Sequence, residues 1–137
     1  MSDTVFHKIL RGEIPCAKIY EDAHIFAFMD AFPQAKGHAL IIAKEGAANL
    51  FEMPEEPLAH IIRFSRRLAR AQRQVFAPEG IRVMQFNGEA AGQTVFYYHM
   101  HLLPVYAGQK EEQHGDKAAD LAELQAQAAQ LAAALEA

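Results

Sequence analysis

The chain has 137 residues, of which 51% are hydrophobic and 22% are charged, a composition typical of one globular domain with a buried core. Its net charge of −4 at pH 7 provides no overall positive field for a nucleic-acid backbone, although a local pocket could still hold an anionic small molecule. The single cysteine excludes an intrachain disulfide. We see no basic and apolar leader and no apolar run near the roughly 20 residues of a membrane span, so we expect a cytoplasmic protein that contacts neither nucleic acid nor membrane.

The first half of the chain predicts a short helix and three strands. Residues 4–11 place apolar side chains at helical spacing. Two strands are expected at 17–21 and 24–29, because both stretches are rich in β-branched and aromatic residues and a plausible turn separates them. Residues 38–43 form a third, mostly apolar strand.

The second half contains the clearest helix, at residues 54–77. The apolar residues assigned to one face of it are Leu58, Ile61, Ile62, Leu68, Val75 and Phe76. Five arginines mostly avoid that face, and we interpret them as a solvated surface. These are Arg63, Arg66, Arg67, Arg70 and Arg73.

Two more strands, at 81–86 and 95–105, and a helix from about residue 117 complete the predicted order. The apolar stripe of the last helix would pack either on the body of the chain or on a second subunit. The fold class is therefore α+β: an antiparallel sheet of about five strands with one long helix, one short helix and a C-terminal helix.

The residues that best indicate a function are two histidines in the last predicted strand. Because side chains alternate along a strand, Tyr97, His99 and His101 share one face. Gly88 and Gly92, in the loop before them, let backbone N–H groups approach a phosphate. A neutral imidazole can attack phosphorus while a protonated neighbour offsets the negative charge. On the residues alone, this pattern fits metal binding, a structural role and catalysis equally well.

The run GQTVFYYHMHLLP at residues 92–104 resembles the signature of the histidine triad (HIT) family, His-φ-His-φ-His-φ-φ with φ apolar. Further blocks resemble the family in the same order across residues 5–105: FHKI with GEIP, AFMD with PQA and GHALII, and NGEAAGQ as a phosphate loop. The resemblance implies a HIT-like catalytic domain at 1–108 and a helical tail at 109–137. It also implies a nucleotide-binding homodimer that cleaves nucleoside phosphoramidates or dinucleoside polyphosphates.

The resemblance also implies roles for single residues. His99 matches the histidine that forms a covalent nucleotidyl intermediate, and His101 matches the one that contacts the phosphate. Asp30 matches the carboxylate that holds the ribose hydroxyls, although it would also suit the cap of a turn. His38 matches a histidine that supports the triad from behind. The remaining matches are Asn87, Gly92 and Thr94 around the phosphate, and Phe6, Ile9 and Phe28 as an apolar clamp on the base, or simply as core.

Two departures from the family pattern affect the expectation. Tyr97 replaces the first triad histidine, and a phenol is neutral at pH 7 but can still donate a hydrogen bond. We expect the chemistry of His99 and His101 to persist, with Tyr97 in a supporting role. Thr4 and His7 stand where some relatives carry a zinc-binding cysteine pair, so we expect no metal site and no required cofactor; a divalent cation would enter only with a polyphosphate substrate.

Two alternatives stay open. In one, tyrosine in place of the first triad histidine makes the protein a catalytically weak nucleotide-binding regulator or scaffold. A turnover measurement would distinguish it from an enzyme. In the other, His99, His101 and His38 bind a metal, which would co-purify stoichiometrically.

Overall fold

Five antiparallel strands form the centre of the protein, and a computed structural model describes residues 3–109 and 117–136 around them. The strands are β1 (Lys18–Glu21), β2 (Ile25–Met29), β3 (Ala39–Ala43), β4 (Gly80–Met84) and β5 (Met100–Val105). They lie side by side in the order β1-β2-β3-β5-β4. The predicted α+β class is confirmed, as is antiparallel pairing of β1 with β2 and of β4 with β5.

In the part of the chain that the structure describes, three α-helices lie against the two faces of the sheet. They are α1 (Val5–Leu10), α2 (Glu55–Phe76) and α3 (Leu121–Glu136). Helices α2 and α3 pack against each other and against one face of the sheet, whereas the apolar side chains of α1 join a second cluster on the opposite face. Because both faces are covered, every residue of β2 and β3 is buried. The last helix therefore packs on the body of its own chain, and no helix in the described ranges is long and apolar enough to cross a bilayer.

Helix α2 confirms most of the predicted apolar face and corrects one position. Ile61 and Leu68 are fully buried, but Ile62 is 56% exposed, so its assignment to the buried face was wrong. Phe64 takes that place, because positions i+3 and i+4 from Ile61 and Leu68 define the stripe that faces the sheet. All five arginines of the helix are exposed, as the interpretation of a solvated face predicts.

Strand β5 begins later than predicted, at Met100 instead of residue 95. The preceding segment alternates like a strand but is held differently, since the N–H of Tyr98 donates to the carbonyl of Ala47 at 2.8 Å. The alternation of faces nevertheless holds, because Tyr97 packs in the α1 cluster and Tyr98 in the opposite one. His101 pairs with Leu40 of β3 on one side and with β4 on the other, which places it on backbone that is held by a strand on either side.

Candidate active site

A cavity of about 620 Å³ is lined by side chains from α1, β2, β5 and α3 and from the loop at residues 87–94, which we term the phosphate loop. Eight of the residues assigned from the sequence lie on its wall. They are Phe6, Ile9, Phe28, Asp30, Gly92, Thr94, His99 and His101. Three others, His38, Asn87 and Tyr97, are not among the lining residues. The fold thus gathers distant parts of the chain around two histidines and a carboxylate.

The apolar part of the wall is formed by Phe6, Ile9 and Phe28, all of them at least nine-tenths buried. The rings of Phe6 and Phe28 meet edge to face, with centroids 5.6 Å apart. These side chains are core residues and cavity wall at once, so the two interpretations of them are compatible. Cys16 and Leu124 also line the cavity, and no sequence motif marked either of them. Burial raises the pKa of the Cys16 thiol, which keeps it protonated at neutral pH.

Backbone geometry fixes the proton on His99. Its Nδ1 lies 2.7 Å from the carbonyl oxygen of Tyr97. Because a carbonyl only accepts, Nδ1 must carry the proton, and in the neutral ring Nε2 then holds the lone pair. The ring of Phe6 packs against the imidazole, with centroids 4.8 Å apart. His99 therefore has the tautomer that a nucleophile attacking through Nε2 requires.

A buried pair of histidines fixes the proton on His101 in the same way. The N–H of Gln34 donates to Nδ1 of His38 at 3.1 Å, so the proton of neutral His38 lies on Nε2. That Nε2 is 3.0 Å from Nδ1 of His101, which must therefore accept. The proton of His101 is left on Nε2, and His101 lines the cavity. His38 thus contacts His101 and is not among the residues that line the cavity, and its role in catalysis stays a prediction.

Asp30 is 3% exposed and lies beside the same pair. Its Oδ1 accepts from the N–H of Phe32 at 2.9 Å, so it does cap the turn after β2. Its Oδ2 is 3.4 Å from Nε2 of His38 and 4.0 Å from Nδ1 of His101. Each carboxylate oxygen has more than one acceptor site, so capping the turn is compatible with binding ribose hydroxyls from the cavity wall.

The phosphate loop depends on two glycines with backbone conformations that other residues rarely adopt. Gly88 has φ +97° and Gly92 has φ +100°, on either side of a short 3₁₀ turn. The N–H groups of Ala91, Gly92 and Gln93 donate to carbonyls of Gly88 and Glu89 within the loop. These three N–H groups are therefore already bonded within the loop and do not face a phosphate, contrary to the expectation from the sequence. Thr94 and His101 are donors that do line the cavity.

Two amide side chains tie the phosphate loop to the segment after β3. Gln93, which the sequence did not single out, is 2% exposed; its Oε1 accepts from Gly88 N at 2.8 Å and its Nε2 donates to the Ala48 carbonyl at 2.6 Å. Asn87 Oδ1 accepts from Leu50 N at 2.8 Å. The direct contact of Asn87 with a nucleotide stays a prediction, since the structure shows it fastening the loop.

The donors present do not fit a metal ion. Asp30, His38 and His101 are the one group of three potential ligands found in the described part of the chain. An ion there would need a lone pair on Nε2 of His38, and the proton displaced to Nδ1 would meet the N–H of Gln34. At the position of the zinc-binding pair of some relatives, Nδ1 of His7 instead accepts from Thr4 N at 2.9 Å in a capping box.

Two histidines with fixed tautomers, a buried carboxylate and a glycine-containing loop lie around one cavity, which places the chain in a class of small α+β proteins with a histidine-based site. Within that class the chain belongs to the HIT family, since the HIT domain profile matches residues 11–108. It is 41% identical over 100 residues to adenosine 5′-monophosphoramidase hnt1 of Schizosaccharomyces pombe, covering 73% of this chain and 72% of the relative.

Solved structures agree with this assignment. A Hit-like protein involved in cell-cycle regulation from Bartonella henselae, solved with an unknown ligand, superposes with a TM-score of 0.89 at 37% identity, covering 96% of each chain. A zinc-bound histidine triad protein from Mycobacterium smegmatis has a TM-score of 0.83 at 33% identity, covering 96% of this chain and 92% of that one.

Proposed function

We propose that this protein hydrolyses nucleoside phosphoramidates or dinucleoside polyphosphates at the α-phosphorus through a nucleotidyl-His99 intermediate. The observation that carries the proposal is the bond between His99 Nδ1 and the Tyr97 carbonyl, which directs the lone pair to Nε2. The similarity to a protein named as an adenosine monophosphoramidase supports the substrate class. No cofactor takes part in the proposed reaction, and a divalent cation would enter only as the counterion of a polyphosphate.

In the first half-reaction, Nε2 of His99 forms a bond to the α-phosphorus as the bond from phosphorus to the leaving nitrogen or oxygen breaks. The electron pair of that bond departs with the leaving group. A leaving nitrogen takes up a proton from water, and Nε2–H of neutral His101 donates a hydrogen bond that stabilises the negative charge on the phosphoryl group. The Tyr97 carbonyl stabilises the positive charge that develops on the His99 ring.

In the second half-reaction, water attacks phosphorus and the bond to His99 Nε2 breaks, which releases the nucleoside monophosphate and restores the neutral ring. The attacking water gives up its proton to solvent, and His101 keeps Nε2–H as a hydrogen-bond donor to the phosphate throughout. We assign base binding to the apolar wall of Phe6, Ile9 and Phe28, and ribose binding to Asp30. Asn87, Gly92 and Thr94 would shape the phosphate subsite.

We extend the proposal to the assembly and location of the chain. Residues 1–108 would form the catalytic domain and 109–137 a helical tail, of which 110–116 and 137 lie outside the described residues. A cytoplasmic homodimer would form by joining two sheets, and β4 supports this because it is an edge strand with Val83 54% exposed. Light scattering would measure the mass of the particle, and a monomer at micromolar concentration would contradict the dimer.

The test of the proposed function is steady-state hydrolysis of a fluorogenic adenosine phosphoramidate by wild type and His99→Ala. Loss of the nucleophile should reduce kcat by about 10³-fold or more. His24→Ala is the matched control, because His24 does not line the cavity and should leave kcat unchanged. Mass spectrometry of acid-free quenched samples should detect the nucleotidyl adduct on wild type and not on His99→Ala.

The second candidate function is a nucleotide-binding regulator, and the observation that favours it is Tyr97 in the first triad position. Nucleotide binding by wild type without turnover, unchanged in His99→Ala, would support the regulator and contradict the enzyme.

A further inference from the structure

Gly46 lies directly against the side chain of Tyr97. A Cβ built on residue 46 would overlap Cζ of Tyr97, and it would lie 2.5 Å from the hydroxyl oxygen of that residue and 2.7 Å from its Cε1. Real Cβ atoms do not approach heavy atoms this closely, so the Tyr97 ring can occupy its site only because residue 46 is glycine. Gly46 has no positive φ, and its backbone would accept other residues. The requirement for glycine is therefore steric.

The space left by Gly46 lets the Tyr97 hydroxyl reach β3. That hydroxyl donates to the carbonyl of Ala43, the last residue of the strand, at 2.5 Å. The side chain is 2% exposed, and the ring of His7 packs perpendicular to it with centroids 4.7 Å apart. Burial raises the pKa of Tyr97 to about 12, so the phenol keeps the proton that it donates.

The main chain of the same residue holds the nucleophile. The Tyr97 carbonyl accepts from Nδ1 of His99 at 2.7 Å, as described above. Tyr97 is thus held at two points: its hydroxyl on the end of β3 and its carbonyl on the His99 ring. Because residues 95–99 precede β5 and lack its ladder bonds, the anchored side chain is a constraint on where that carbonyl lies.

We propose that Gly46 and Tyr97 form a size-matched pair in which the Tyr97 hydroxyl, anchored on the Ala43 carbonyl, positions the backbone carbonyl that fixes the tautomer and orientation of His99. Tyr97 is then a positioning residue, and the tyrosine at the first triad position retains function by a mechanism that does not use an imidazole. This inference rests on the proposed role of His99, but its structural part is tested without turnover.

The first test removes only the anchoring oxygen. In Tyr97→Phe, nitrogen-15 NMR of the imidazoles should show His99 changing from a single Nδ1–H tautomer to a mixture, and kcat should fall roughly 10-fold to 100-fold while KM changes by less than about twofold. Tyr98→Phe is the matched control, because Tyr98 is buried in the opposite cluster and should alter neither measurement. A pure Nδ1–H tautomer in Tyr97→Phe would overturn the proposal.

The second test is a size exchange. Gly46→Ala should lower Tm by about 5–10 °C, because overpacking forces the phenol away from Ala43. The double variant Gly46→Ala/Tyr97→His should recover most of the lost Tm. An imidazole lacks both the hydroxyl and the Cζ that meet the new methyl group. The double variant Gly46→Ala/Tyr97→Phe should not recover it, because phenylalanine still has a Cζ at the position that meets the methyl group. A wild-type Tm in Gly46→Ala, or equal rescue by both second substitutions, would overturn the pairing.

The two tests also separate this inference from the proposed function. If wild type shows no turnover but His99 loses its fixed tautomer in Tyr97→Phe, the positioning role stands and hydrolysis is contradicted. If wild type turns over and the tautomer is unchanged in Tyr97→Phe, hydrolysis stands and the positioning role is contradicted.

Discussion

Nε2 of His38 lies 3.0 Å from Nδ1 of His101, and both rings are more than nine-tenths buried. The direction of this bond is set from outside the pair, because the N–H of Gln34 occupies the other nitrogen of His38. A backbone amide in the turn after β2 thereby decides that His101 carries its proton on the nitrogen remote from His38.

Substitutions of His38 should test that chain of bonds. Asparagine can keep an acceptor near Nδ1 for Gln34 but has no group near Nε2, so His38→Asn should free the proton of His101 to move between nitrogens. We expect kcat to fall about 10-fold to 100-fold, as for other residues that orient a reacting imidazole, with little change in KM. His38→Gln, which can retain a donor near Nε2, should lose less. Equal kcat values for both variants and wild type would contradict the assignment.

Asp30 should confer selectivity for ribose over deoxyribose. A charged acceptor that binds a hydroxyl contributes more than a neutral one, so wild type should bind adenosine monophosphate about tenfold more tightly than its 2′-deoxy form. Asp30→Asn keeps an oxygen for the Phe32 N–H but loses the charge, and it should remove most of that ratio. Equilibrium titration measures both affinities. An unchanged ratio in Asp30→Asn would place the ribose elsewhere.

Local patterns predicted most of the fold, and the exceptions have physical causes. Strands β2 and β3 were identifiable because continuous burial selects short apolar runs. Residues 95–99 alternate as a strand would, yet the partner of Tyr98 is the Ala47 carbonyl and not a neighbouring strand, which alternation does not reveal. Ile62 was assigned to the wrong face of α2 because apolar residues are not confined to one face of this helix. The sequence pattern alone therefore does not decide whether a single apolar position is buried.

The candidate site was predictable where a motif carries it and not where tertiary contacts create it. His99 and His101 follow from the signature, and the resemblance supplied Asp30 and His38. Gln93 was missed because its partner, the Ala48 carbonyl, is 45 residues away. The dependence of Tyr97 on Gly46 was missed for the same reason, since a glycine required by a distant ring leaves no local pattern.

Nucleotide binding should protect Cys16 from alkylation. Cys16 is the single thiol of the chain and lines the cavity near the apolar wall. A nucleoside monophosphate at ten times its Kd should slow the reaction with iodoacetamide about tenfold, if the bound base covers the thiol. Because burial raises the pKa of the thiol, the rate is best followed near pH 8.5 by mass spectrometry. The urea-unfolded chain is the control, since the nucleotide should not protect Cys16 there. If the nucleotide does not protect Cys16 in the folded protein either, the bound base does not lie against this thiol.

Alkaline pH should destabilise the protein partly through Tyr97. Burial raises its pKa from 10.0 to about 12, so the folded state holds the phenolic proton more tightly than the unfolded state. Below about pH 9 both states are protonated and the contribution is constant. As pH rises from 10 toward 12, the unfolded chain loses the proton first and the free energy of unfolding falls, by at most about 2–3 kcal/mol from this residue.

Tyr97→Phe removes the titrating group and should flatten that decline, even if the variant is less stable at pH 8. Urea unfolding of both proteins between pH 8 and pH 12 measures the difference. Burial also raises the pKa of Tyr98, so Tyr98→Phe should remove a separate part of the decline. If wild type and Tyr97→Phe lose the same free energy over this range, the phenol of Tyr97 is not held protonated by burial, and the donor to the Ala43 carbonyl needs another explanation.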